Sequence, residues 1–136
     1  GLPLPAGATL FCPIADLEAT TIVPHKNDLT SRVIGDFWRG CVDAYLAGHP
    51  SADPLVSPVR GSLAGLPPLL IQVGACETLL DDAIRLARVA GAADVYVDLQ
   101  IWPEMIHVWH LFHPELSAGK KAIQAGGAFV RDHLAA

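Results

Sequence analysis

The chain has 136 residues and a net charge of −5, with 51% hydrophobic and only 17% charged side chains, where soluble domains average about 25% charged. That length suits one domain spanning 1–136, and a mean hydropathy of +0.38 implies a dense interior or apolar surface turned toward a partner. Nine Lys and Arg residues with no cluster beyond Lys120-Lys121 exclude nucleic acid as an expected partner, and no uncharged stretch reaches the roughly 20 apolar residues of a membrane span.

Ala6–Pro13 (AGATLFCP) is a short apolar run between prolines and predicts a buried strand. The residues from Asp16 to Asp28 are polar and irregular. Thr30 or Ser31 can cap a helix through Leu46, with Val33, Ile34, Phe37, Trp38, Cys41, Val42 and Tyr45 at helical spacing and Gly48-His49-Pro50 as its stop. Five prolines between Pro50 and Pro68 mark a long loop, a length that usually carries function or wraps a face. Leu69–Gly74 (LLIQVG) predicts a second buried strand, Leu79–Ala90 a helix closed by Gly91, Val95–Trp102 (VYVDLQIW) a third strand by its period of two, and Leu116–His133 a last helix. Strand and helix alternate throughout, which predicts an α/β fold with a parallel sheet and crossover helices.

Three cysteines, Cys12, Cys41 and Cys76, are an odd number at irregular spacing. They read as ordinary buried thiols in a reducing compartment, the cytoplasm, and neither as a disulfide framework nor as a metal site.

In parallel sheets, chemistry sits beyond the carboxyl ends of the strands. Ala75-Cys76-Glu77 follows the second strand and Pro103–His107 the third, so Glu77 and His107 are expected to meet from adjacent strand tips, an acid orienting a base. Each residue has a plainer alternative. Glu77 can serve only a helix N-terminus, and His107 can be a packing histidine. Asp81 and Asp82 read as surface or loop-orienting carboxylates, with Asp81 as the fallback acid. His107, His110 and His113 form an H-x-x-H-x-x-H ladder suggestive of zinc, but Pro114 limits the helix and no H-E-x-x-H is present. No metal or cofactor is expected, and His110 and His113 are assigned to packing or surface, with Trp109 and Phe112 as core or pocket wall.

GLPPLLIQVGACETLLDDAIRLA, followed about thirty residues from acid to base by WPEMIHVWHLF, resembles the C-terminal half of the hormone-sensitive-lipase family of bacterial esterases. GLPLPAGATLFCPIADL and DAYLAGHPSADPLVSP resemble it too, so the likeness covers nearly the whole chain. The resemblance implies a partial three-layer α/β-hydrolase fold of about three parallel strands, with Glu77 as the triad acid and His107 as the triad base. Glu104 and Ile106 stand where the family's histidine turn has Gly and Pro, and Glu is not expected to take the positive φ open to Gly. The family's G-x-S-x-G nucleophile and H-G-G-G oxyanion motif are absent from these residues; Ser31, Ser51, Ser57, Ser62 and Ser117 all lie outside such an elbow.

The resemblance thus implies a serine esterase or lipase acting on short- to medium-chain acyl esters. This chain would supply acid and base but not the nucleophile, and would be inactive alone. Its implied partners are the missing N-terminal half or a second chain, or copies of itself in a homo-oligomer. The alternatives are a non-catalytic remnant that associates through an open sheet edge and an unrelated α/β domain that shares the topology.

Overall fold

Residues 3–18 and 40–134 are described in a computed structural model of the chain. Three parallel strands, β1 (Ala8–Phe11), β2 (Leu69–Gly74) and β3 (Val97–Trp102), form one sheet in that order. β2 is central and buried at every position, which accounts for its unbroken apolar run. The register pairs Ala8 with Leu69 and Val97 with Leu69 on the other side. Among the described residues β1 pairs along one edge only.

The pleat sorts side chains between two faces. Leu69, Ile71 and Val73 share a core cluster with Ala83, Leu86 and Ala90 of helix α1 (Leu80–Ala92). On the opposite face Gln72 reaches Ala122 of helix α2 (Ser117–Leu134), and Gly126 of that helix lies over Thr9 and Phe11. Helix, sheet and helix are therefore three layers, the α/β architecture expected from the alternation of elements. No described helix is long and apolar enough to cross a membrane.

Most of the helix expected from Thr30 or Ser31 lies outside the described residues; its end, residues 40–46, is helical. It closes through Ala47 and Gly48, both at positive φ (47° and 87°). Helix α1 ends differently from expectation. Gly91 lies inside it, and the left-handed closing residue is Asp94 (φ 59°). The Asp94 and Val95 N–H groups donate to Gly91 O (3.2 Å) and Ala90 O (3.1 Å), the two bonds of a Schellman ending. Asp tolerates this backbone better than most residues, so it fills the position usually held by glycine.

The loop after β1 is tied to α1 by buried charges. Asp82 Oδ2 accepts the Ala15 N–H (2.8 Å) and the Asp16 N–H (3.1 Å), the loop-orienting one of the two roles expected for it. Burial raises its pKa above the ordinary value despite those donors. Asp16 accepts Arg60 through both carboxylate oxygens (3.1 Å each) and Arg85 at 2.8 Å. Burial opposes the Asp16 charge, but the two guanidinium groups and the Glu18 N–H outweigh it and hold the carboxyl below its usual range. Asp82→Ala leaves two buried N–H groups without an acceptor and is expected to cost about 2 kcal/mol, whereas Asp82→Asn keeps the accepting oxygen and stays near wild type. Urea unfolding of the two variants checks this; equal losses would show that the hydrogen bonds are not the cause.

Candidate active site

The tips of all three strands converge on one carboxylate. Glu77 lies three residues past β2, its side chain fully buried (0% exposed) beside a His107 side chain that is 37% exposed. Glu77 Oε2 is 2.7 Å from His107 Nδ1, and Glu77 Oε1 accepts the Gly74 N–H at 2.7 Å. Each oxygen thus has its own partner, so the carboxyl plane is fixed and Nδ1 is the protonated ring nitrogen, because a carboxylate only accepts. The other ring nitrogen, Nε2, is left free to take a proton.

Two close contacts hold the β3 turn against β2. The Cys76 N–H donates to Met105 O (2.9 Å), and a side chain on Gly74 would meet that same oxygen at 2.2 Å. Gly74 is therefore required for close approach, since φ there is ordinary. The turn contains two non-glycine residues in the left-handed region, Glu104 (φ 63°) and Val108 (φ 45°). Glu104 thus adopts the conformation expected to need Gly, at a cost of roughly 1–2 kcal/mol. Val108 is costlier, being β-branched. Strain of this kind persists where the surroundings over-determine the backbone, commonly at functional sites. Trp109 and His110 supply that constraint: both are buried, with Phe11 stacked on His110 at 4.2 Å and Trp102 tilted against Trp109 at 5.8 Å.

His110 belongs to a polar chain that sequence reading missed. Gln72 Nε2 donates to Gln100 Oε1 (2.8 Å) and Ala122 O (3.1 Å), which turns Gln72 Oε1 toward His110 Nε2 at 3.0 Å. His110 therefore carries its proton on Nε2, and its buried Nδ1 has no partner among the described residues. A second proton would be buried without an acceptor. Burial lowers the His110 value, reinforced by His107 and opposed by Glu77. The folded chain accordingly refuses a proton that the unfolded chain binds below 6.5, so this residue's contribution to stability is intact above that pH and falls away below it. Nitrogen-15 NMR is expected to show His110 titrating below the ordinary value; a midpoint at or above it would refute the burial argument.

The remaining sequence-predicted residues fall outside the site or at its rim. Asp82 points to the β1 loop, Asp81 sits half-buried in the first turn of α1, and His113 is exposed. Phe112 is half-exposed and Trp109 fully buried. The three histidines do not form a metal-binding group among the described residues. The one group there that could hold an ion is Cys12, Glu77 and His107, with donor atoms within 4.8 Å of one another. Sulfur, carboxylate and imidazole suit zinc, but an ion would have to break the Glu77–His107 hydrogen bond and displace the thiol proton. Cys12 is the buried thiol expected, whereas Cys76 is half-buried and Cys41 exposed. Ser57 is committed elsewhere, accepting the Leu17 N–H (2.8 Å) and donating to Ser51 O (2.6 Å).

The profile of the alpha/beta hydrolase fold family matches residues 1–111. An acetyl-hydrolase of Streptomyces hygroscopicus is 46% identical over 133 residues, covering 96% of this chain and 44% of that protein. The crystal structure of an esterase from the bacterial hormone-sensitive lipase family superposes with a TM-score of 0.86 at 41% identity, over 98% of this chain and 45% of the other. EstE5, in a crystal soaked with p-nitrophenyl butyrate, superposes with a TM-score of 0.86 at 42% identity over 99% of this chain and 46% of its own. The chain thus spans a little under half the length of the relatives it matches. With three parallel strands layered between helices and an unbroken likeness to esterases of this fold, the chain belongs to the α/β-hydrolase family, in the company of the bacterial hormone-sensitive-lipase esterases.

Proposed function

We propose that this chain carries the acid and the base of a Ser-His-Glu triad in a carboxylic ester hydrolase. The carrying observation is the 2.7 Å contact between buried Glu77 and half-exposed His107. In this reading a serine from outside the 136 residues attacks the ester carbonyl. His107 Nε2 takes the serine proton and later gives it to the leaving alcohol. Glu77 holds Nδ1–H and stabilises the imidazolium that forms. Backbone N–H groups, also from outside this chain, hold the oxyanion. Short- to medium-chain acyl esters are the proposed substrates, in keeping with the p-nitrophenyl butyrate soaked into EstE5. The proposed setting is cytoplasmic, with residues 1–136 behaving as one domain.

The edge of β1 that is unpaired among the described residues supports the second half of the reading, that a further strand pairs there. It also favours a rival, a non-catalytic remnant that associates through that edge. The purified 136-residue chain is expected to leave p-nitrophenyl butyrate uncleaved above the buffer rate. Supplying the nucleophile-bearing segment is expected to bring hydrolysis that His107→Ala removes. Turnover that survives His107→Ala would end the triad reading, and an assembled protein without any turnover would favour the remnant.

A further inference from the structure

We propose that Cys12 is a positioning residue for Glu77: its thiol holds the carboxylate from the β1 side while its sulfur receives the N–H of the residue after His107. The inference rests on the proposed roles of Glu77 and His107 and adds a third element to their support. Cys12 follows β1 directly, is 4% exposed and takes the left-handed backbone at φ 49°. Its own N–H continues the ladder to Gln72 O at 2.8 Å. The Val108 N–H donates to Cys12 Sγ at 3.3 Å, and that sulfur lies within 4.8 Å of a Glu77 oxygen and a His107 nitrogen.

The direction of the S–H follows from these partners. One sulfur lone pair faces the Val108 N–H, so the thiol proton points elsewhere, and the proposal assigns it to the Glu77 carboxylate, which has an oxygen within 4.8 Å. Burial, the hydrogen bond with Glu77 and its negative charge together push the thiol up to about 12, against the pull of the Val108 and Gly74 N–H groups. The proton therefore stays on sulfur at any physiological pH. A buried carboxylate needs donors in place of lost water, and Glu77 then has them from all three strand tips: Gly74, His107 and Cys12. A side chain that only filled space would not link β1 to both the acid and the base.

The test reads the His107 ring by nitrogen-15 NMR in the intact protein. Wild type is expected to show one tautomer, protonated at Nδ1, with slow exchange of that proton. Cys12→Ala is expected to speed this exchange about tenfold, the effect of losing one hydrogen bond to a charged group, and to admit the second tautomer. Cys12→Ser, which keeps a donor, is expected to restore the wild-type ring. Should Cys12→Ala fold poorly, Cys12→Gly suits the left-handed backbone and carries the same expectation. A ring unchanged in Cys12→Ala, or altered equally by Ala and Ser, overturns the proposal and leaves Cys12 as packing. Glu77→Gln separates this from failure of the underlying pair. If that variant leaves the wild-type tautomer untouched, the acid–base reading itself has failed.

Discussion

Under the proposed triad, Glu77→Gln in a hydrolase assembled from this chain and its nucleophile-bearing segment is expected to lower kcat for p-nitrophenyl butyrate about 10,000-fold while KM changes little. The size follows from the tautomer. In wild type the two Glu77 oxygens divide between the Gly74 N–H and His107 Nδ1. Glutamine has one oxygen, and keeping it on Gly74 turns the amide NH₂ toward Nδ1. His107 must then accept at Nδ1 and carry its proton on Nε2, the nitrogen that should be receiving one from serine. The geometry survives but the base is occupied. His107→Ala is expected to cost at least as much, and the double variant no more than the worse single one, because acid and base act as a unit. Additive losses, or a Gln variant within tenfold of wild type, would contradict the pairing.

Gly74→Ala is expected to destabilise the fold by about 3–4 kcal/mol, the sum of an overpacked contact and a lost hydrogen bond, and to lower Tm by at least about 8 °C. The added methyl would meet Met105 O at 2.2 Å and Met105 C at 2.7 Å. Both are backbone atoms, so no rotamer change relieves the clash. The turn must move away, and with it go the Cys76–Met105 bond and the position of His107. A displacement of about 1 Å there is enough for a loss near 100-fold in turnover. Gly91→Ala is the matched control. Nothing lies within 4 Å of its added carbon, and its place inside α1 predicts a gain of about 0.5–1 kcal/mol. If calorimetry finds the two substitutions alike, the close approach of β2 and the β3 turn is not the constraint described.

The meeting of Glu77 and His107 was legible because both depend on local pattern: LLIQVG and VYVDLQIW read as strands, and residues just past such strands come together at one end of the sheet. The three-layer sheet followed from the alternation of elements. Features set by distant partners were not legible. Cys12 meets Val108 across 96 positions and Asp16 meets Arg60 and Arg85 across 44 and 69, separations at which no periodicity links them. Gly91 misled for a different reason, since glycine near a helix end favours a stop, but Asp94, three residues later in the chain, makes the left-handed closure. Glu104 likewise takes a backbone that its type disfavours, because the packed Trp109 and His110 leave the turn no alternative.

The clasp between Gly74, Cys76 and Met105 also bears on how such a chain can vary. The span between the third strand and its histidine is spliced to its neighbour by main-chain atoms, so adding or deleting even one residue there would unseat the ring. The proline-rich segment from Pro50 to Pro68 is tied instead to β1 and the loop after it, through Pro68 O on the Ala8 N–H, the Val59 N–H on Ala15 O and Arg60 on Asp16. Changes in length are therefore expected to be excluded from the stretch from Trp102 to His107, where they would break the Cys76–Met105 bond.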